Sequence, residues 1–191
     1  MPLIRMLIDR LTIFVCAVLA LAGLAGCATP ASVEGMVATE TTMWRGRAPT
    51  AIARKIEVTL VTGGEDTNPL WTSEVSNQDF RQALERSLDL AELQVPPGQP
   101  AAYRLEASLV GVDQPMMGFD MTVTSTVDYK VSPVTGDGRI FQTIVVAPYT
   151  ASAFDSFLAV ERLRLANEGS IRENIRSFIE QLIQFYGEST T

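Results

Sequence analysis

Between Phe119 and Val131 the chain reads FDMTVTSTVDYKV, with Phe119, Met121, Val123, Val127, Tyr129 and Val131 at alternate positions and Asp120, Thr122, Thr124, Thr126, Asp128 and Lys130 between them. Successive side chains of a strand point to opposite faces, so this pattern demands a sheet with one buried and one wet face. Ala102 to Val110 repeats it, with Tyr103, Leu105, Ala107 and Leu109 on the apolar side, which predicts an antiparallel hairpin across GVDQPMMG. Charge restricts the register. Setting Arg104 opposite Lys130 also sets Glu106 opposite Asp128, and directly opposed like charges destabilise a sheet. A shift of two residues gives Arg104 with Asp128 or Glu106 with Lys130, and one of these two is expected.

The remaining elements follow from period and punctuation. Ile56 to Val61 alternates Ile, Val and Leu with Glu and Thr and reads as a first strand; TGGEDTNPLW, Thr62 to Trp71, is a loop rich in turn formers. Ser76 and Asp79 have the spacing of a capping box. Behind them Phe80, Ala83, Leu84, Ser87, Leu88 and Ala91 recur at helical spacing, predicting a helix over about Asn77 to Leu93 that VPPGQP ends. TGDG, Thr135 to Gly138, is a turn, and Ile140 to Ala147 a returning strand closed by Pro148. The last segment is helical: Ile171, Ile175, Phe178, Leu182 and Phe185 form one stripe, with Glu168–Arg172 and Glu173–Arg176 as surface ion pairs. An upstream part, about Asp155 to Asn167, is interrupted by Gly169, which costs a helix near 1 kcal/mol relative to Ala and predicts a kink or break. The order β-α-β-β-β-α predicts an α+β two-layer sandwich, a four-stranded, mostly antiparallel sheet with two helices on one face.

The N-terminus decides where such a domain would live. Arg5 and Arg10 precede Leu11 to Leu24, an apolar run of about fourteen residues, short of the roughly 20 a spanning helix needs. Leu24-Ala25-Gly26-Cys27 then resembles the lipobox of bacterial lipoproteins, whose cysteine carries diacylglycerol and becomes the new N-terminus. The resemblance implies a signal peptide over 1–26 and palmitate-type acylation at Cys27; two or three chains make a permanent anchor where one binds marginally. Ala28, rather than Asp, follows the cysteine, and by resemblance this favours the outer membrane, facing the periplasm. With Cys16 removed and Cys27 blocked, neither cysteine is left for a disulfide.

Loss of Arg5, Asp9 and Arg10 takes the formal charge from −7 to −8, a balance that argues against nucleic acid as a partner. Residues 27–53 read as a lipidated cysteine and a flexible tether, and 54–191 as one domain. The tether's far end, RGRAPTAIARK, holds Arg45, Arg47, Arg54 and Lys55 and no acid, and offers a contact for anionic head groups near the anchor; the bland alternative is a solvated linker. Trp44 beside it is either an interfacial anchor or packed on the domain.

DFRQALERSLDLAEL, FDMTVTSTVDYKV and RLRLANEGSIRENIRSFIEQL, in this order behind a lipobox, resemble the small periplasm-facing lipoproteins of the LptE, YajG and ABC-transport-auxiliary kind. That resemblance is one of layout. It implies a non-catalytic partner of an outer-membrane barrel or transporter in an envelope assembly or transport complex, and transfers no individual functional residue.

Chemistry is scarce in the composition. The chain has no histidine, which removes the commonest general base and metal ligand, so no catalytic residue, metal or cofactor is assigned. Lys130 belongs to the polar face of a strand. Glu65 and Asp66 are the one acidic pair a carboxylate-based cell-wall hydrolase would use, and adjacent loop acids are ordinarily solvated charges. Trp71 is a candidate partner anchor, against packing over the start of the helix. Met116 and Met117 form a candidate adaptable apolar tip, against a plain hairpin loop. Three functions follow: a binding lipoprotein, a lipid or glycan carrier with a pocket lined by Phe119, Val123, Phe178 and Leu182, and the hydrolase.

Overall fold

The computed structural model describes residues 29–65, 74–115, 118–136 and 138–188. Strands β1 (Ile56–Thr62), β2 (Tyr103–Asp113), β3 (Met121–Pro133) and β4 (Phe141–Ala151) form one sheet in that spatial order. β1 is parallel to β2, and the other two pairings are antiparallel. A short helix α1 (Val33–Met36) and a 3-10 turn (Thr39–Trp44) precede the sheet; α2 (Asn77–Leu90) connects β1 to β2, and α3 (Ala159–Gly187) follows β4. The β-α-β-β-β-α order and the α+β sandwich expected from the sequence are both present. Ser76 caps α2 as its spacing predicts, accepting from the Asp79 backbone N–H at 3.1 Å. The hairpin takes one of the two charge-compatible registers, Glu106 opposite Lys130.

Two bulges disturb the alternation. Thr59 is the extra residue in β1, so Val58 and Val61 are buried while Leu60, expected inward, faces solvent. Val110 does the same in β2 and is exposed. β3 begins two residues later than the pattern suggests, leaving Phe119 outside the strand. β4 runs on through Pro148 to Ala151; as an edge strand it has no neighbour on its outer side to need the missing N–H.

Phe80, Leu84 and Leu88 of α2 and Ile171, Ile175, Phe178 and Leu182 of α3 meet Leu105, Val127, Tyr129 and Val131 in one core on one side of the sheet. Phe178 stacks on Tyr129 with ring centroids 4.1 Å apart. The pocket a carrier would need is therefore not formed: Val123, Phe178 and Leu182 are fully buried against neighbours, and Phe119 lies outside. A buried polar network fixes α3 to the sheet. Asn174 donates to the carbonyls of Ser125 and Val145 and accepts from the Tyr129 hydroxyl at 2.9 Å; Ser170 accepts from the Ser125 N–H and donates to the Ala147 carbonyl, both at 2.8 Å. Burial without a charged partner pushes the Tyr129 phenol well above its ordinary value.

The helix does not break at Gly169; α3 is continuous through it. The Tyr149 ring lies so close that a Cβ on Gly169 would sit 2.2 Å from a ring carbon, so the residue serves a close contact. Glu168 also pairs differently from expectation, with Arg164 rather than Arg172, whereas Glu173–Arg176 forms at 2.9 Å. Arg172 donates to the Gly35 carbonyl instead.

The expected free tether is corrected most. Ala31, Met36, Val37, Ala38, Thr41 and Ile52 are buried, and 31–52 forms a strap across α2 and α3. Ser32 caps α1 and donates its own N–H to Glu168 at 2.7 Å; the Ala38 N–H donates to Ser87 Oγ at 3.0 Å, and Thr41 Oγ1 to the Ser87 carbonyl at 3.0 Å. A strap that drops one short apolar triplet between two helices has no period, so periodicity could not find it.

Candidate binding surfaces

Of the candidate site positions named from the sequence, the described ones, Glu65, Arg45 and Arg47, divide between the two ends of the sheet. Because β1 and β2 run one way and β3 and β4 alternate, the β1–α2, β2–β3 and β4–α3 connections share one pole. The chain also enters there: the Ala31 N–H donates to the Glu74 carbonyl, and the Glu74 carboxylate accepts from Gln114 at 3.2 Å, just beyond β2. Cys27, Asp66, Trp71, Met116 and Met117 lie outside the described residues, and Glu65 is exposed in the β1–α2 connection.

Arg45 and Arg47 are exposed at the opposite pole. The strap meets α3 first at Glu168 and ends beside Trp44, which lines a groove with Ile183 and Gly187. Nineteen helical steps lead from Glu168 to Gly187, about 28 Å at 1.5 Å each. The basic stretch is therefore remote from Ala31, near which the described chain begins. Two of its four charges serve the fold. Arg54 pairs with Glu92 at 3.0 Å, and Lys55 Nζ donates to the Thr50 carbonyl at 2.7 Å. The Gly46 backbone N–H and then Arg54 hold the Glu92 carboxyl below its ordinary value. Trp44 is half-buried on the domain, its indole N–H buried without a hydrogen bond.

Three surfaces stand open to solvent. The first is an open groove of about 1190 Å³ between α2, the free edge of β1 and the 94–99 connection. Arg86, Glu85, Asp89 and Glu57 line it in mixed sign over Val58 and Val95. Arg81 reaches across to donate to the Val58 and Thr59 carbonyls at 2.6 and 3.0 Å, which blocks strand addition along that part of the edge.

The second is the outer face of the sheet. Both long helices pack on the other side, so Thr122, Ile144, Val146 and Thr150 stand in solvent, with Ile144 62% and Val146 59% exposed. This apolar pair sits on an edge strand that no other strand covers among the described residues.

The third, which the sequence reading missed, is a tip at the pole where the chain enters. Phe119 is 87% exposed, Phe154 98% and Phe157 95%, with Leu158 beside them. The loops that carry them are tightly built. Asp155 accepts from the Ser152 N–H at 2.7 Å and its hydroxyl at 2.9 Å, which holds its carboxyl below the ordinary value. Asp120 accepts from the Ala153 N–H at 3.2 Å, and the buried Arg162 donates to the carbonyls of Ser156 and Gly118. The available signal is SAFDSFL, aromatic residues inside a Ser/Asp turn; the helix expected from about Asp155 takes in Phe157 and Leu158, whereas α3 starts only at Ala159, and the expected strand takes in Phe119.

Among the described residues no group of three or more Cys, Asp or Glu is placed to hold a metal, and no helix is long and apolar enough to cross a membrane. No family model and no curated protein matches the chain. Solved structures do. A candidate lipoprotein from Caulobacter crescentus CB15 aligns at 16% identity and a TM-score of 0.50, over 74% of this chain and 96% of its own. Protein XCC0632 from Xanthomonas campestris, of the DUF330 family model, aligns at 12% identity and 0.50, over 73% and 91%. At such identities the likeness is one of fold.

Proposed function

We propose that this chain is a lipoprotein of the bacterial envelope, anchored through Cys27 to the periplasmic face of the outer membrane, that serves as a non-catalytic binding component of an assembly or transport complex. The observation that carries the reading is the open sheet face: an ordered domain with a filled core keeps Ile144 and Val146 in solvent on an edge strand. Exposed apolar residues grouped on a flat, rigid surface favour a protein contact. The LAGC lipobox supports the anchor, and the fold shared with a candidate lipoprotein agrees with it. The lack of histidine, with Tyr129 and Asn174 sealed in structural bonds, supports a role without catalysis.

Two measurements test the proposal. Palmitate incorporation in cells should be lost in Cys27→Ala; continued labelling would sink the anchor. Cross-linking in intact cells, then purification of the full-length protein from gently solubilised membranes, should yield a stoichiometric barrel or transporter subunit. A preparation free of any protein partner would contradict the accessory role.

A further inference from the structure

We propose that the tip formed by Phe119, Phe154, Phe157 and Leu158 inserts into the lipid interface, giving the domain a second contact with the membrane that holds its acyl anchor. The inference rests on the lipid reading of Cys27 and goes beyond it by fixing how the domain stands on the bilayer.

Three nearly bare phenylalanines on adjoining loops are a patch that soluble proteins rarely leave in water. Nor is the exposure that of a loose loop. Asp155, Asp120 and Arg162 take up the turn's backbone groups, so the connections hold their shape while the rings face outward. Apolar side chains over an internally satisfied backbone are what the interfacial layer accepts, since an unsatisfied amide is costly there.

The occupant follows from where the chain begins. Ala31 is held at Glu74, which bonds Gln114 in the same connection that carries Phe119. Cys27 lies four residues earlier, within about 14 Å of Ala31 even when fully extended. An acyl chain on Cys27 brings a bilayer to this pole. Among the described residues the tip offers it rings and no exposed cation: Arg162 is buried, and Asp120 and Asp155 are exposed carboxylates that accept hydrogen bonds from the loops. The attraction is therefore apolar and is not weakened by salt, unlike a polybasic contact. With the tip in the lipid, the strands stand with one set of ends toward the membrane, and the open sheet face looks sideways into the periplasm.

The test uses the full-length protein, expressed in cells, purified and reconstituted into vesicles of phosphatidylethanolamine and phosphatidylglycerol. Phe157→Cys carries a nitroxide, with Thr126→Cys and Gln99→Cys as references on the sheet face and the far pole. Mass spectrometry of the N-terminal peptide reads the acylation of Cys27 separately. We expect the probe at 157 to collide more with lipid-soluble oxygen than with an aqueous nickel chelate, the two reference probes to show the reverse, and salt to change neither. An acylated protein whose 157 probe remains aqueous would overturn the inference, leave the anchor standing and point to a protein partner for the tip. An unmodified Cys27 would refute the anchor. The tip would then survive only if the unlipidated protein still floats with the vesicles and loses flotation in Phe154→Ser/Phe157→Ser, and would fail with the anchor otherwise.

Discussion

Gly169 has opposite meanings in the sequence and in the fold. As a helix interruption, its replacement by Ala would stabilise the protein by about 1 kcal/mol. With the Tyr149 ring where a Cβ would lie, Gly169→Ala instead overpacks the α3–β4 contact at about 1–3 kcal/mol, and a net loss of up to about 2 kcal/mol is expected once the gain in helix propensity is subtracted. Chemical denaturation gives the sign directly, and a stabilised variant would refute the packing account. Asn174 allows a second test. Asn174→Leu keeps a side chain of similar size but strips the Tyr129 hydroxyl and the Ser125 and Val145 carbonyls of partners, at about 1–3 kcal/mol for each buried group left unsatisfied. Neither position was legible beforehand. A glycine that admits a ring looks the same in sequence as one that breaks a helix, and a polar residue inside an apolar stripe does not reveal what it will meet.

Among the elements, those with a strict period were readable and those without one were not. β3 from Met121 and the stripe of α3 follow their patterns, and four charges narrowed the hairpin to two registers, of which the fold takes one; a shift of one residue would invert every side chain. The bulges at Thr59 and Val110 escaped because an inserted residue breaks the phase that makes a strand visible. The strap escaped because it has no phase at all. Its weight can be measured: Met36 is fully buried between the helices, so Met36→Ala should cost about 2–5 kcal/mol, whereas a free tether would tolerate it without effect. The β4–α3 connection should respond to acid. Asp155 holds its proton less tightly folded than unfolded, so its stabilisation is complete above the ordinary carboxylate range and is lost as pH falls through the lowered value. The Tm deficit of Asp155→Asn should accordingly shrink between about pH 7 and about pH 3. A constant deficit would assign the effect to packing alone.

The whole molecule is polar in the geometric sense. One end gathers the point where the chain enters, the aromatic tip and three connections; the other holds Arg45 and Arg47, and between them one sheet face is sealed by α2, α3 and the strap while the other is bare. A domain that served only as its own folded unit would gain nothing from keeping Ile144 and Val146 in water. The account therefore depends on what covers that face in the cell. The decisive measurement is photo-cross-linking in living cells from a benzophenone amino acid placed at Ile144 or Val146, with Gln184 on the outer side of α3 as the reference position. The account predicts one discrete adduct from both sheet positions, with the same envelope protein, and none from Gln184. Adducts from Gln184 alone, or none from the sheet positions while the protein is present and folded, would contradict it.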